Sequence, residues 1–208
     1  MIRYFDKLRP SLPLLETQRL LLRPMERSDA ADLYEYARLQ ETTRYLLWSP
    51  HPSPEYTRAY LAMIGRFYRK GEFFDWAVVE KASGKMIGTC GFARLEKNHR
   101  VGEIGYVLNP AYHGRGYATE AASAVIRYGF ETLGLNRIEG RYMVENIASR
   151  KVMEHCGLVF EGVLRESMMV KGRFRDIGLC SLLLADYRRA EMKAHGVSYV
   201  ASQDSRCL

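Results

Sequence analysis

Gly114 and Gly116 stand between two regular stretches of the chain, in the segment HGRGYATEAA. The residues before them, 101–108, alternate in a way that predicts a strand, and alanines recur at helical spacing from Tyr117 onward. The first turn of a helix has free backbone N–H groups and a partial positive charge, so it binds anions. Glycines just before that turn let a phosphate approach the backbone. This arrangement predicts a cradle for phosphate groups.

Two common phosphate cradles do not match these residues. The dinucleotide-binding pattern G-x-G-x-x-G requires a third glycine where Thr119 stands. The P-loop pattern G-x-x-x-x-G-K-[ST] occurs nowhere in the chain. Adenine dinucleotides and Mg-ATP are therefore poor candidates for the ligand.

The composition narrows the class of protein. A formal net charge of +7 over 208 residues suits an anionic ligand, but no block of five or more lysines and arginines predicts a nucleic-acid partner. No apolar run approaches the ~20 residues of a membrane span, and charges throughout the N-terminal segment argue against a signal peptide. We therefore expect a cytoplasmic protein with no membrane partner. The cysteines are scattered without metal-ligand spacing, so we expect free thiols and no metal site at Cys90, Cys156, Cys180 and Cys207.

The periodicity along the chain predicts strands and helices around one sheet. Predicted strands are 17–24, 73–80, 85–95, 101–108, 136–144, 158–170 and 176–185. Predicted helices begin after Ser28–Asp29, at Ser53, at Tyr117 and after Asn146, and a terminal helix or solvated tail covers 186–195. No linker or repeat is visible, so we expect one domain over 1–208, with a core of about 16–185 and peripheral segments 1–15 and 196–208.

Three segments carry a family resemblance. Residues 113–118, HGRGYA, resemble the acetyl-CoA loop Gln/Arg-x-x-Gly-x-Gly/Ala of the GNAT N-acetyltransferase superfamily, with histidine at its first position. Residues 145–164, ENIASRKVMEHCGLVFEGVL, resemble its Asn-x-x-Ser…Gly-Phe…Glu-Gly segment, with Leu158 in place of phenylalanine. Residues 17–30, TQRLLLRPMERSDA, resemble its first strand. The resemblance covers roughly residues 16–185 and is closest to the branch that acetylates protein N-terminal amines, including those of ribosomal proteins.

The resemblance implies a fold and a co-substrate. The fold is α/β (α+β): a GNAT-type single domain with a central mixed, mostly antiparallel twisted sheet, flanked by helices and splayed between the two strands that cradle the co-substrate. The co-substrate is acetyl-CoA, with the pantetheine arm against the backbone of Tyr106, Val107 and Leu108. The implied phosphate-binding residues are His113, Gly114, Arg115, Gly116, Tyr117, Ala118 and Thr119. Asn146 would hydrogen-bond the co-substrate, serve as a helix cap, or do both.

The same resemblance implies direct attack of an amine on acetyl-CoA, with no cysteine nucleophile and no metal. Ser149, in the first turn after Asn146, would protonate the departing thiolate. Glu161, in the Glu-Gly pair, would be the general base, and Glu103 on the preceding strand is its rival. Either carboxylate would instead be structural if it pairs with an arginine.

The acceptor is the least determined part. Deprotonating an α-amine of pKa ~7.8 at pH 7 costs about 1 kcal/mol, against roughly 4.6 kcal/mol for a lysine of pKa ~10.4. A single carboxylate suits the α-amine, so we expect a protein or peptide N-terminus as acceptor. A polyamine, amino acid or antibiotic amine stays open, as do a non-catalytic acyl-CoA-binding module and a monomer or homodimer. Phe73, Phe74 and Trp76 fall where relatives line the acceptor side, and we expect Trp48 in a loop over that cleft.

Overall fold

The computed structural model describes residues 12–194. Its strands are Leu15–Glu16 (β1), Leu20–Arg23 (β2), Phe74–Glu80 (β3), Met86–Glu96 (β4), Val101–Leu108 (β5), Arg137–Met143 (β6), Val159–Val170 (β7) and Arg173–Leu183 (β8). They form one open sheet in the order β1-β2-β3-β4-β5-β6-β8-β7. Every neighbouring pair is antiparallel except β5 and β6, which are parallel.

The described residues include six α-helices. They are Ala30–Ala37 (α1), Gln40–Thr43 (α2), Pro54–Lys70 (α3), Tyr117–Glu131 (α4), Ile147–His155 (α5) and Leu184–Ala194 (α6). Ser53 caps α3 by accepting from the Tyr56 N–H, and Gly71 ends that helix with a φ of +66°. No helix in the described part of the chain has the length and apolar character needed to cross a membrane.

Different helices cover the two faces of the sheet. Trp76 on β3 is fully buried, and its ring lies 5.4 Å from that of Tyr128 on α4. Its neighbour Asp75 points to the opposite face because successive strand residues alternate. Tyr36 on α1 and Tyr60 on α3 lie on that face. Burial is the main cause that raises the pKa of both hydroxyls, and the charge of Asp75 is the second. The layer of α1 and α3 therefore lies opposite α4.

The sheet opens between β5 and β6. Their pairing runs from Val101–Arg137 to Ile104–Gly140 and stops there. Beyond that point β5 stays paired with β4 as far as Leu108, and β6 stays paired with β8 as far as Met143. Because each strand keeps its other partner, the two diverge without unravelling. The predicted mixed, mostly antiparallel sheet with a splay is confirmed.

Most predicted elements are present with small shifts at their ends, and the short helix α2 is an addition. Of the segments predicted to be peripheral, 1–11 and 196–208 lie outside the described residues, as does Cys207. Residues 12–15 pack onto the domain, since Leu12 is buried and the Trp76 indole donates to the Pro13 carbonyl at 2.7 Å.

Candidate active site

A cleft of about 500 Å³ opens where β5 and β6 separate. Its walls come from α1 and α3 on one side of the sheet and from α5 on the other. The lining side chains include Tyr36, Trp48, Tyr60, Phe73, Phe74, Asp75, Glu103, Tyr106, Arg141, Asn146 and Ser149. A volume of this size accommodates a small ligand or the end of a larger one.

The loop between β5 and α4 has the form of an anion cradle. Gly114 and Gly116 have φ values of +75° and +78°, in the left-handed region that favours glycine. A Cβ on Gly114 would meet no atom within 4 Å, and one on Gly116 would meet only Arg19 Nη2, at 3.5 Å. No side chain caps α4, so its first backbone N–H groups can bind an anion. The predicted binding of acetyl-CoA phosphates fits this open space.

Arg19, just before β2, braces the cradle. Its Nη1 donates to the carbonyl oxygen of Arg115 at 2.9 Å, and its Nε donates to Glu120 Oε2 at 2.7 Å. Its guanidinium lies 4.4 Å from the ring centre of Tyr117. Sequence reasoning missed this function because Arg19 and Glu120 are 101 positions apart. The matched segment 17–30 contained the residue without indicating its partner.

His113 ties the same loop to the end of β5. Its Nε2 lies 3.0 Å from the carbonyl oxygen of Leu108, at hydrogen-bond distance. His113 thus has a structural contact at the position where the family pattern has Gln or Arg. The predicted contact of His113 with a phosphate stays a prediction.

Tyr106 and Ser149 meet across the opened strands. The Tyr106 hydroxyl lies 2.8 Å from the Ser149 carbonyl oxygen and 3.1 Å from Ser149 Oγ. Burial is the main cause that raises the pKa of Tyr106, so the phenol stays protonated. Ser149 N–H in turn donates to Asn146 Oδ1 at 3.2 Å, which makes Asn146 a helix cap. The sequence predicted all three residues but not the phenol that positions Ser149.

The two predicted general bases have different surroundings. Glu103 lines the cleft, where Arg94 Nε and Arg141 Nε each lie 3.4 Å from its Oε2. Arg141 also pairs with Glu139 at 3.3 Å. Glu103 therefore faces the cleft, where two guanidinium groups partly neutralise its charge.

Glu161 lies outside the cleft, on β7 at the far end of the sheet. Arg137 donates to its two oxygens at 2.8 and 2.6 Å, and Ser181 donates to Oε1 at 2.5 Å. These contacts, Arg137 first, lower the pKa of Glu161 to about 2. A carboxylate so paired is a poor proton acceptor near neutral pH. This pairing with an arginine favours the structural alternative for Glu161, and its role as general base stays a prediction.

Asp75 is a lining residue that sequence reasoning missed. The pKa of its carboxyl is raised to about 7, mainly because of burial. A hydrogen bond from Thr89 lowers the pKa and so opposes this effect. The available signal was an acidic residue inside an otherwise apolar strand, FFDWAVVE. The aromatic residues of that strand give the stronger pattern, and they predict the acceptor side without Asp75.

Aromatic side chains surround the entrance on the α3 side. Trp48 lies over His51, with ring centres 5.4 Å apart, and His51 lies 4.9 Å from Tyr56. His51 Nδ1 is 2.8 Å from the Thr57 hydroxyl, and burial lowers the pKa of its ring. The expected loop over the cleft is present, and Phe73 and Phe74 line the cleft while Trp76 belongs to the core.

The cysteines of the described residues are free thiols. Cys90 and Cys180 are buried, and burial is the leading cause that raises the pKa of both and of Cys156. A raised pKa leaves little thiolate for nucleophilic chemistry.

Comparison with known proteins agrees with this geometry. The domain family described as "Acetyltransferase (GNAT) domain" matches residues 19–159. An uncharacterized N-acetyltransferase p20 of Bacillus licheniformis is 36% identical over 83% of this chain and 97% of its own length. The [ribosomal protein uS5]-alanine N-acetyltransferase of Escherichia coli is 28% identical over 83% of this chain and 92% of its own. The spermidine N(1)-acetyltransferase of Vibrio cholerae is 27% identical over 81% and 95%.

Solved structures with a similar fold belong to the same family. A GNAT-family acetyltransferase from Bacillus anthracis superposes with a TM-score of 0.74 and 28% identity, covering 83% of this chain and 99% of that one. The chain therefore belongs to the GNAT family, and it is an N-acetyltransferase. Members of this family use acetyl-CoA, and the relatives agree with the resemblance to the ribosomal-protein branch.

Proposed function

We propose that this enzyme transfers the acetyl group of acetyl-CoA directly to the N-terminal α-amine of a protein or peptide. The observation behind the proposal is that the cradle and the cleft share one strand. Tyr106 lies on β5, which leads into the cradle, and its phenol holds Ser149 beside the opening. The relative that acetylates an alanine of uS5, matched over 92% of its length, supports this class of acceptor.

The residues present fit acetyl-CoA. The open space over Gly114 and Gly116 and the first N–H groups of α4 would hold the pyrophosphate. The backbone groups of β5 beyond Ile104 have lost their partner in β6, and those of Tyr106 to Leu108 would bind an extended arm. When bound, acetyl-CoA supplies a thioester carbonyl as the electrophile.

The remaining chemistry belongs to this chain's side chains. The amine nitrogen forms a bond to the carbonyl carbon as the carbon–sulfur bond breaks. Ser149, positioned by Tyr106, would donate a proton to the leaving sulfur. Of the two carboxylates predicted as general base, Glu103 is the one that lines the cleft.

A small cationic amine is the second candidate. Three carboxylates line the cleft, Glu72, Asp75 and Glu103, against one guanidinium, that of Arg141. An acidic cleft in a chain of net charge +7 favours a cationic acceptor. The similarity to a spermidine acetyltransferase supports the same alternative.

A panel of acceptors tests the proposal. The full-length protein with acetyl-CoA would be offered peptides with free N-terminal alanine or serine, the same peptides with blocked N-termini, spermidine and free amino acids. We expect thiol release with the free peptides and none with the blocked ones, and mass spectrometry should find the acetyl group on the α-nitrogen.

Each other outcome has a defined meaning. Turnover of spermidine but of no peptide would select the small-amine alternative. Binding of acetyl-CoA, seen as a raised melting temperature, without transfer to any amine would indicate a non-catalytic module.

A further inference from the structure

A strip without side chains crosses the sheet from β3 to the splay. Asp75 on β3 pairs with Gly91 on β4, and Gly91 pairs with Gly105 on β5. Residues directly opposite each other in paired strands point to the same face. The two glycines therefore leave an open path from Asp75 to Gly105, where β5 and β6 begin to diverge.

Asp75, Gly91 and Gly105 all line the same cleft. A Cβ on Gly91 would lie 2.1 Å from the Phe74 carbonyl oxygen and 2.3 Å from Asp75 Cα, so the close approach of β3 and β4 requires a glycine there. A Cβ at Gly105 would meet only Ala93, at 3.8 Å. Packing does not demand a glycine there, and the space is open to a ligand.

Tyr36 adds a polar atom with no partner. Its side chain is 1% exposed and lines the cleft, and among the described residues its hydroxyl has no hydrogen-bond partner. By contrast, the nearby Tyr68 hydroxyl accepts from the Met25 N–H and donates to the Asp75 carbonyl oxygen. A buried hydroxyl without a partner is costly to the fold. The buried position of the Tyr36 hydroxyl is explained if a group of the ligand supplies its missing hydrogen-bond partner.

Asp75 is also the less neutralised of the cleft's inner carboxylates. Glu103 has Arg94 and Arg141 at 3.4 Å, whereas no ion pair within the described residues involves Asp75. The influences on its titration are burial, the Thr89 hydroxyl and the Trp76 backbone. An uncompensated carboxylate and a free hydroxyl at one place are suited to the N–H groups of an ammonium ion.

We propose that Asp75 and the Tyr36 hydroxyl bind the acceptor's reacting amine as its ammonium ion, and that Asp75 takes its proton. This inference rests on the proposed function and extends it to the acceptor site. It names the acceptor class as a primary amine without an adjacent carboxylate, because Asp75 would repel one. Peptide N-termini and polyamines belong to this class, and free α-amino acids do not.

The protons balance in this scheme. The ammonium transfers one proton to Asp75, and the neutral nitrogen then attacks the thioester carbonyl carbon. After attack the nitrogen loses its second proton to water in the cleft. Ser149 gives its hydroxyl proton to the thiolate, which leaves as a thiol, and regains a proton from that water. Asp75 returns its proton to solvent. A carboxyl of pKa about 7 is well matched to this role near neutral pH.

The titratable groups around Asp75, on both faces of the sheet, do not obscure its titration. The charge of Asp75 raises the pKa of Tyr36, Tyr60, Tyr68 and Cys90, after burial as the main cause in each, so all four stay neutral around pH 7. Glu103 and Arg141 share the cleft as a pair, and burial lowers the pKa of His51 at the entrance. A change in activity near pH 7 that disappears on substitution would thus report Asp75.

The main test compares Asp75→Asn with Glu55→Gln, a control that removes an exposed carboxylate from the outer side of α3. With a peptide acceptor at pH 7 we expect Asp75→Asn to lower kcat/KM about 100-fold, within the range for a lost proton acceptor. At pH 9 the loss should shrink to about tenfold or less, because an α-amine of pKa ~7.8 is then already neutral. The dissociation constant of acetyl-CoA should not change, and Glu55→Gln should match wild type throughout.

Three results would count against the inference. A kcat/KM for Asp75→Asn equal to wild type at every pH would overturn it while leaving the proposed function intact. An equal loss at pH 7 and pH 9 would overturn the proton transfer. A wild-type enzyme that acetylates no amine would overturn the proposed function and this inference together.

A second pair of variants separates ligand binding from folding. Tyr36→Phe removes a hydroxyl that has no partner, so the melting temperature should not fall, yet KM for the amine should rise about tenfold. Tyr68→Phe removes two internal hydrogen bonds, so its melting temperature should fall. An unchanged KM in Tyr36→Phe would overturn the assignment of that hydroxyl to the acceptor.

Discussion

Asp75 keeps a carboxyl group where burial opposes its ionisation. The pKa of its side chain rises from the ordinary 3.8 to about 7 in the folded protein. Because the folded pKa is the higher one, its contribution to stability is fully present below pH 3.8 and is lost as the pH rises through 7. At neutral pH Asp75 therefore lowers the free energy of unfolding, as is common for titratable groups in functional sites.

We expect Asp75→Asn to stabilise the protein increasingly as the pH rises. Asparagine does not titrate, so its stability margin over wild type should be about 2 to 3 kcal/mol larger at pH 8 than at pH 5. Urea unfolding at the two pH values measures the margin. The exposed variant Glu55→Gln should show a much smaller change, and an equal margin for Asp75→Asn at both pH values would contradict a buried titrating carboxyl.

At the scale of elements, the β5–α4 loop combines backbone geometry with a free helix end. Gly114 and Gly116 take left-handed φ values so that the chain turns sharply into α4 without side chains over the turn. His113 and Arg19 then hold the loop from its two ends, through Leu108 and Arg115. These contacts hold the loop in the shape that the proposed phosphate site requires.

Gly116→Ala should weaken acetyl-CoA binding by more than its cost to stability suggests. A left-handed alanine lowers the free energy of unfolding by about 1 kcal/mol, and a methyl group in the phosphate space should raise the acetyl-CoA dissociation constant about tenfold. Calorimetric titration and urea unfolding measure the two effects.

Gly172→Ala is the matched control for this change. Gly172 lies in the β7–β8 turn with a φ of +79° and nothing within 4 Å of its Cβ position. It should lose the same stability with no change in acetyl-CoA binding. If both variants bind acetyl-CoA equally, the phosphate site lies elsewhere.

At the scale of the whole molecule, Glu161 links three neighbouring strands. It lies on β7, accepts from Ser181 on β8 and pairs with Arg137 on β6. These contacts span the pairing of β6 with β8. Because β6 keeps that partner, it can separate from β5 and open the cleft. We therefore expect Glu161 to stabilise the sheet around the cleft.

Glu161→Gln should lower stability and spare turnover. Its side chain is 39% exposed, so after screening by solvent we expect a loss of about 1 kcal/mol at neutral pH. Because the pKa of Glu161 is lowered from 4.5 to about 2, this contribution is present above pH 4.5 and disappears as the pH falls toward 2. Urea unfolding and initial rates measure both expectations.

The control is Glu154→Gln, which removes an ion pair of similar exposure, 43%, between neighbours on α5. Glu154→Gln should change stability less, because the ion pair that it removes joins two residues of one helix. A kcat for Glu161→Gln reduced about tenfold or more with stability unchanged would restore Glu161 as a proton acceptor.

The family and the order of the elements follow from the sequence alone, and so does the prediction of a phosphate cradle. These depend on short segments: left-handed glycines before a helix, an Asn146 cap with Ser149 three residues later, and strands recognised by their alternation. Each signal acts within a few residues, so it can be recognised before the chain is folded.

Which carboxylates face the cleft depends on long-range packing. The motif favours Glu161 over its rival Glu103, but strand order places Glu161 beside Arg137 at the sheet's edge and Glu103 beside the opening. Alternation within β3 places Asp75 on the face opposite Trp76, but it does not identify the residues beside Asp75 on that face. The register of the strands aligns Asp75 with Gly91 and Gly105. Register depends on pairing between distant segments, so no local sequence pattern contains it.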